Sequence, residues 1–135
     1  MSQEHNIEQQ KKFGAAAQNG AFEQFGALVA PDCIDHDPAP GQVAGPRGYA
    51  EFFGQMLAAF PDMKIDPIHL IADGDNVAFA YTLTGTHQGT FMNVPPTGRP
   101  IEIRGLQISR FQNGKMVERW GSSDELGIIK QLGAA

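Results

Sequence analysis

Apolar side chains in the first part of the chain recur every three or four positions, which is the spacing typical of a helix. Residues 6–18 combine this spacing with good helix-forming residues. Residues 21–29 repeat the spacing and end before Pro31, and residues 47–59 show it again. The pattern therefore predicts three N-terminal helices, of which the first two form a hairpin, with an irregular stretch at 33–46.

Beyond residue 60 the apolar positions alternate, which is typical of strands with one buried face. Four such segments predict strands at 63–72, 76–87, 99–111 and 115–123. Pro67 interrupts the first of them and indicates an edge strand or a bulge. The Asn113-Gly114 pair between the last two is a strong hairpin signal. A final helical pattern predicts a short closing helix at 125–133.

Helices followed by an antiparallel meander predict an α+β fold. We expect the three N-terminal helices to pack on a strongly curved, mostly antiparallel sheet, which gives a cone-shaped α+β roll. Side chains cannot fill the whole concave side of such a sheet, so we expect a concave apolar pocket there. The helices cannot cover every apolar strand residue, and a second subunit that forms a homodimer is predicted to cover the rest, such as Phe79, Tyr81, Leu106 and Ile108.

The length of 135 residues predicts a single domain over 1–135. A net charge of −5 without any basic block argues against a nucleic-acid partner. No apolar run approaches the roughly 18 residues that span a bilayer, and the N-terminal residues lack the pattern of a secretory signal. We therefore expect no membrane partner and a cytoplasmic location. Cys33 is the single cysteine, and a small buried residue explains it more simply than a nucleophile does.

The run Asp35-His36-Asp37 is the first candidate site. A histidine flanked by carboxylates can act as a base or offer metal ligands. Because consecutive residues of an extended segment point in different directions, one metal ion cannot easily use all three, and we predict no metal site. A solvated loop and a pocket role for Asp35 or His36 both stay open.

Asp124 is the second candidate, directly after the last predicted strand. A carboxylate that enters a pocket beside Trp120 would be partly desolvated, which suits a general acid or base. Asp124 also stands where the N-cap of the closing helix belongs, and capping alone would explain an aspartate there. Both interpretations stay open.

Gln107 is the third candidate, because it interrupts an apolar strand face next to Gly105. Its amide could hydrogen-bond a substrate carbonyl or be a satisfied core group. His87 could reach the pocket rim or serve as a structural histidine where the strand bends. We predict that substrate contacts Gln107, Trp120, His87, Tyr81 and Phe53.

Several segments resemble a known family, the SnoaL-like polyketide cyclases, also called ester cyclases. The most distinctive is GTHQGTFMNVPPTGR at 85–99, and the resemblance extends in order over 59–63, 71–99, 108–120 and 124–133. The resemblance implies the roll of the nuclear-transport-factor-2-like superfamily and a dimer or higher oligomer. It further implies a ring-closing aldol reaction on a polyketide ester, without metal or organic cofactor.

The characterised cyclases of that family use a histidine and an aspartate, whose positions correspond here to Gln107 and Gly121. Neither residue can transfer a proton, so the family reaction cannot be carried over directly. We expect an enzyme that performs cofactor-free cyclisation, isomerisation or hydration of a small hydrophobic carbonyl compound. Asp124 would act as its base, with Asp35 or His36 as partner and Gln107 to orient the carbonyl. A non-catalytic small-molecule binding protein and a purely structural dimer are the alternatives.

Overall fold

A computed structural model describes residues 2–134. Its α-helices are α1 (Gln3–Asn19), α2 (Phe25–Leu28), α3 (Pro46–Ala59) and α4 (Glu125–Gln131), and a 3-10 turn at Phe22–Gln24 precedes α2. Its strands are β1 (Val29–Asp35), β2 (Lys64–Asp73), β3 (Asn76–Thr86), β4 (Pro100–Gln112) and β5 (Lys115–Ser123). The predicted α+β class, with helices before the meander, is confirmed.

The predicted helix at 21–29 is largely wrong. The chain there forms a 3-10 turn and the four-residue α2, and then enters β1 instead of an irregular stretch. Pro31 lies inside β1, where it was expected to end a helix. A proline is tolerated because β1 is an edge strand whose register shifts between Val29 and Ile34.

The five strands form one open mixed sheet in the order β1-β5-β4-β3-β2. Strands β2 to β5 are the predicted antiparallel meander, and β1 adds a parallel edge beside β5. The other edge, β2, has a register shift between Pro67 and His69, which confirms the bulge that Pro67 indicated. The N-terminal helices therefore feed directly into the edge of the sheet next to β5.

The helices cover one face of this sheet. Val77 and Leu83 of β3 and Ile103 of β4 lie on that face, within two buried clusters that include α1, α2 and α3. Phe79 and Tyr81 lie there as well, since their register partners are Gln107 and Gly105. The expectation that these two aromatic residues share the uncovered face is therefore wrong. The uncovered face carries exposed apolar side chains, namely Ile71, Leu106, Ile108 and Trp120.

The aromatic cluster beneath the helices fixes how they pack. Phe13 of α1 stacks on Phe25 of α2 at 5.0 Å between ring centroids, and it meets Tyr49 of α3 edge-on at 5.4 Å. Cys33 is buried in the same cluster. Burial raises the pKa of its thiol to about 11, which suits the interpretation of a small core residue.

A substitution at Gly105 tests how closely the Tyr81 ring packs against β4. A Cβ atom at this position would clash with the ring of Tyr81 on the neighbouring strand. We expect Gly105→Ala to lower the free energy of unfolding by about 1–3 kcal/mol, because the partly buried Tyr81 ring must shift. Urea denaturation measures this change.

Gly14→Ala is the matched control for this substitution. Gly14 lies inside α1, and nothing lies within 4 Å of the place that its Cβ would take. Alanine there should stabilise the protein by about 0.5–1 kcal/mol through its helix propensity. An unfolding midpoint for Gly105→Ala at or above the wild-type value would show that Tyr81 has room to move.

Candidate functional site

A cavity of about 480 Å³ opens between the end of β5, the start of α4, the segment after β1 and helix α3. Phe52 and Phe53 of α3 form an apolar wall, and Asp124 lies at the start of α4. Asp35 and Arg119 line the cavity from the paired strands β1 and β5. The cavity therefore brings together apolar, acidic and basic side chains.

The central polar contact of the cavity is an ion pair between Asp35 and Arg119, which are register partners. Arg119 Nη1 donates to Asp35 Oδ2 at 3.1 Å, and the two side chains are 18 % and 7 % exposed. Arg119 was not among the site residues predicted from the sequence. The available signal was its position in β5, since the hairpin at Asn113-Gly114 brings β5 back antiparallel beside the face of β4 that carries Gln107 and Ser109.

Three further groups hold the Asp35 carboxylate. The Tyr49 hydroxyl donates to Oδ2 at 3.0 Å, the Gln42 amide donates to Oδ2 at 3.4 Å, and the Asp37 N–H donates to Oδ1 at 2.9 Å. Burial, and then the neighbouring Asp35 charge, raise the pKa of Tyr49, which keeps its proton in place for this bond. The predicted pocket residue Asp35 thus lies in a fixed network that joins β1, β5 and α3.

Gln107 extends this network along β4. Its Oε1 accepts a hydrogen bond from Arg119 Nε at 3.1 Å, and its Nε2 donates to Ser109 Oγ at 3.2 Å. The side chain is buried on the helix-covered face. Gln107 therefore acts on the cavity through Arg119, since both ends of its amide are already engaged.

Asp124 combines the two interpretations that the sequence left open. It is the N-cap of α4, where its Oδ1 accepts the Gly127 N–H at 2.8 Å. It also lines the mouth of the cavity as an exposed residue. Its Oδ2 has no hydrogen-bond partner within residues 2–134.

The structure places His36 and Trp120 away from this cavity, on the uncovered face of the sheet. Their rings stack at 4.6 Å between centroids with an interplanar angle of 9°. His36 Nε2 lies 2.8 Å from Glu118 Oε2, and Arg110 Nε donates to Glu118 Oε1 at 2.6 Å. These two hydrogen bonds, that of His36 first, lower the pKa of Glu118. Asp35 and His36 thus face opposite sides, as consecutive residues of a strand do.

His87 lies in the segment between β3 and β4 and does not line the cavity. Its ring is fully buried, and its Nδ1 accepts the Thr97 N–H at 3.1 Å. Its own N–H donates to the Arg99 carbonyl at 2.9 Å, and the Gly98 N–H donates to the His87 carbonyl at 2.8 Å. These bonds close the loop that carries the Pro-Pro-Thr-Gly turn, which is the structural role considered for this histidine.

Phe53 and Tyr81 differ in their relation to the cavity. Phe53 belongs to its wall, whereas the Tyr81 ring covers Gly105 further along the same sheet face. Burial raises the pKa of Tyr81.

Within residues 2–134, no three His, Cys, Asp or Glu side chains are grouped as metal ligands would be. No helix in the same part of the chain has the length and apolar character needed to cross a membrane.

An open mixed sheet with helices on one face and a cavity at its end is an α+β roll. The chain belongs to the SnoaL-like polyketide cyclase family, whose family model matches residues 8–132. It is 25 % identical over 123 residues to the nogalonic acid methyl ester cyclase of Streptomyces nogalater, which covers 88 % of this chain and 90 % of that protein. The resemblance noted in the sequence is thereby confirmed.

Solved structures agree with this assignment. IdmH from Streptomyces antibioticus superposes with a TM-score of 0.83 at 33 % identity, over 95 % of this chain and 98 % of that one. TsrD from Streptomyces laurentii reaches a TM-score of 0.91 at 21 % identity, over 100 % and 99 % of the two chains, which shows a shared fold. The aklanonic acid methyl ester cyclase DnrD of Streptomyces peucetius is 27 % identical over 104 residues, 76 % of this chain and 70 % of that protein.

The structure also shows what stands where the family's histidine and aspartate were expected. Gln107 and Gly121 are register partners on β4 and β5, on the cavity side of the sheet. A Cβ atom on Gly121 would lie 2.5 Å from Arg119 Nη2 and 2.7 Å from its Cζ. The Arg119 guanidinium therefore covers the position from which a side chain at 121 would start.

We expect the side chains of Asp35 and Tyr49 to contribute unequally to the free energy of unfolding. Asp35→Asn leaves Arg119 without its counter-ion, and we expect a loss of about 3 kcal/mol in the free energy of unfolding. Tyr49→Phe removes one of several donors to Asp35, and we expect a loss of about 1.5 kcal/mol. Urea denaturation at neutral pH compares the two variants.

The double variant Asp35→Asn with Arg119→Gln is the control for this comparison. It removes both charges, so it should be more stable than Asp35→Asn alone. Equal losses in Asp35→Asn and Tyr49→Phe would contradict the view that the ion pair is the dominant contact.

Proposed function

We propose that this protein is a cofactor-free acid/base enzyme that acts on a small hydrophobic carbonyl compound by cyclisation, isomerisation or hydration. The observation that carries this proposal is a cavity that holds a fixed cation, Arg119, and a rim carboxylate, Asp124, against an aromatic wall. An apolar wall binds the body of such a compound, and a few placed polar groups orient its carbonyl.

Asp124 is the proposed base. One of its carboxylate oxygens caps α4 and fixes the side chain, while Oδ2 is free to accept a proton from a carbon next to the substrate carbonyl. Asp35 supports the reaction indirectly, because its oxygens are taken up by Arg119, Tyr49 and neighbouring amides. His36 has no place in this mechanism, since it stacks on Trp120 on the other face of the sheet.

The relatives suggest which compounds to test first. Two of them are named as cyclases of nogalonic acid methyl ester and of aklanonic acid methyl ester. We therefore propose polyketide methyl esters as the substrate class. A single domain over 1–135, a cytoplasmic location and the absence of nucleic-acid partners stay predictions from the sequence.

A non-catalytic binding protein is the second candidate function. Gly121 favours it, because the position that carries the catalytic aspartate in the characterised cyclases has no side chain here. Such a protein would hold a polyketide ester in the same cavity without converting it. Binding of either methyl ester with no conversion by the wild-type protein would support this second function and contradict the first.

Asp124→Asn tests the proposed base without removing the helix cap, because asparagine caps as well as aspartate does. We expect turnover of a converted methyl ester to fall by about 100-fold or more, as is typical when a general base is lost. The free energy of unfolding should change by no more than about 0.5 kcal/mol. Product formation followed by chromatography, together with urea denaturation, measures both.

Glu125→Gln is the matched control, since it removes a neighbouring negative charge in the first turn of the same helix. It should leave turnover within about twofold, a change of about 0.4 kcal/mol in the activation free energy. Full turnover by Asp124→Asn would exclude Asp124 as the base.

We also propose that the protein forms a homodimer through the uncovered face of its sheet. Leu106 is 64 % exposed and Ile108 is 45 % exposed, and Ile108 pairs in register with Trp120. Small residues, Ala78 and Ala80, lie opposite Ile108 and Leu106 on β3 and leave grooves between the larger side chains. A second copy offers the same ridges and grooves, and in the proposed dimer a twofold axis sets the ridges of each copy against the grooves of the other.

Leu106→Glu should turn the dimer into a monomer, because the carboxylate would be buried in an apolar interface. Size-exclusion chromatography with light scattering measures the mass. Val43→Glu is the control, since Val43 is 44 % exposed outside this face, and it should leave the dimer intact. A wild-type protein that stays monomeric at high concentration would contradict the proposed dimer.

A further inference from the structure

Arg119 presents one edge of its guanidinium group without a partner. Its Nη1 donates to Asp35 and its Nε donates to Gln107, both at 3.1 Å. Its Nη2 has no hydrogen-bond partner within residues 2–134. Arg119 lines the cavity, so the unpaired donors of a charged group lie where a ligand would bind.

The neighbouring residues hold this guanidinium plane in one orientation. Asp35 on β1 fixes one side of the plane, and Gln107 on β4 fixes another. Gln107 is in turn held by Ser109, so the orientation is supported by a second hydrogen bond. A donor held in this way has little conformational freedom left to lose when it binds an oxygen atom.

Gly121 leaves room for the guanidinium group to lie flat against β5. It lies two residues from Arg119 on the same face of the strand, where a Cβ atom would come within 2.5 Å of Nη2 and 2.7 Å of Cζ. Any side chain at 121 would therefore displace the group that carries the unpaired donors. The glycine and the arginine together form a small cationic surface at the wall of the cavity.

We propose that Arg119 is a catalytic residue that binds the substrate carbonyl oxygen through Nη2 and stabilises the negative charge that this oxygen gains during the reaction. This assignment rests on the proposed function. The C–H bond next to the carbonyl breaks and its proton passes to Asp124. The electron pair of that bond forms a carbon–carbon double bond, and the carbonyl π electrons move to the oxygen, which gives an enolate.

The charge balance of the cavity suits this role. Because Asp35 neutralises Arg119 in the resting protein, the cavity does not require a ligand that is already anionic. The Nη2 donors make no hydrogen bond to Asp35, and in the proposed complex their hydrogen bonds strengthen as charge develops on the substrate oxygen. A fixed donor of this kind typically contributes about 100- to 1,000-fold to kcat.

A stable phenolate reports on this site without turnover. The probe is 4-nitrophenol, whose neutral and anionic forms differ in absorbance and whose anion resembles an enolate. We expect the wild-type protein to bind the anion better than the neutral form and so to lower the pKa of the bound probe. Arg119→Met should weaken binding of the anion at least tenfold and leave binding of nitrobenzene, which has no hydroxyl group, unchanged.

Two further variants keep the test independent of folding. Gly121→Ala keeps both charges of the ion pair but adds a Cβ atom 2.5 Å from Nη2, so the guanidinium group must shift, and the variant should also weaken binding of the anion about tenfold. Arg104→Gln is the control, since Arg104 is exposed on a strand position that faces away from the cavity, and it should bind the probe as the wild type does.

The phenolate-binding experiment tests Arg119 independently of the turnover experiment on Asp124. Asp124→Asn should bind the phenolate at least as well as the wild type, because it removes a nearby negative charge. If Asp124→Asn keeps its turnover, Asp124 is not the base, and the proposed role of Arg119 is unaffected. Equal phenolate binding by the wild type, Arg119→Met and Gly121→Ala, or no phenolate binding by the wild type, would overturn the arginine site.

Discussion

The ion pair between Asp35 and Arg119 is the contact on which the rest of the site depends. It lies between the parallel strands β1 and β5, and its hydrogen bonds reach Tyr49 of α3 and Gln107 of β4. A mostly buried pair of this kind contributes little net stability compared with an apolar pair of the same size. Its value lies in orientation, because a charged group with fixed partners holds one geometry, and that geometry defines the wall of the cavity.

Strand alternation separates two surfaces that the chain builds from neighbouring residues. Asp35 and Arg119 face the helices and the cavity, whereas His36 and Trp120, each one residue further on, stack on the uncovered face. Candidate residues that are neighbours in the sequence therefore lie on two different surfaces, the cavity and the apolar uncovered face of the sheet. Any change of register in β5 by one residue would exchange the two.

Local patterns were enough to predict most of the elements. The meander was predictable because each strand alternates and the Asn113-Gly114 turn fixes its last hairpin. Strand β1 was not predictable, since it is short, contains Pro31 and pairs in parallel with a strand more than 80 residues further on. The same separation in sequence made Arg119 unpredictable, because the role of an arginine on a strand depends on its partner on the neighbouring strand.

We infer that glycine at 121, where the family resemblance leads us to expect an aspartate, changes the chemistry of the site and does not simply remove it. A carboxylate at 121 would lie against the Arg119 guanidinium and compete with Asp35 for it, since the Cβ position is only 2.5 Å from Nη2. Such a carboxylate would be a poorer base, because a cation in contact stabilises its charged form. In the proposed mechanism, the glycine leaves the cation free for the substrate oxygen, and the proton acceptor lies elsewhere on the rim. Asp124, held by the N-terminus of α4, meets that requirement because its free oxygen lies at the cavity mouth, apart from the Asp35–Arg119 contact. The proposed separation of base and cation thus follows from the lack of a side chain at 121.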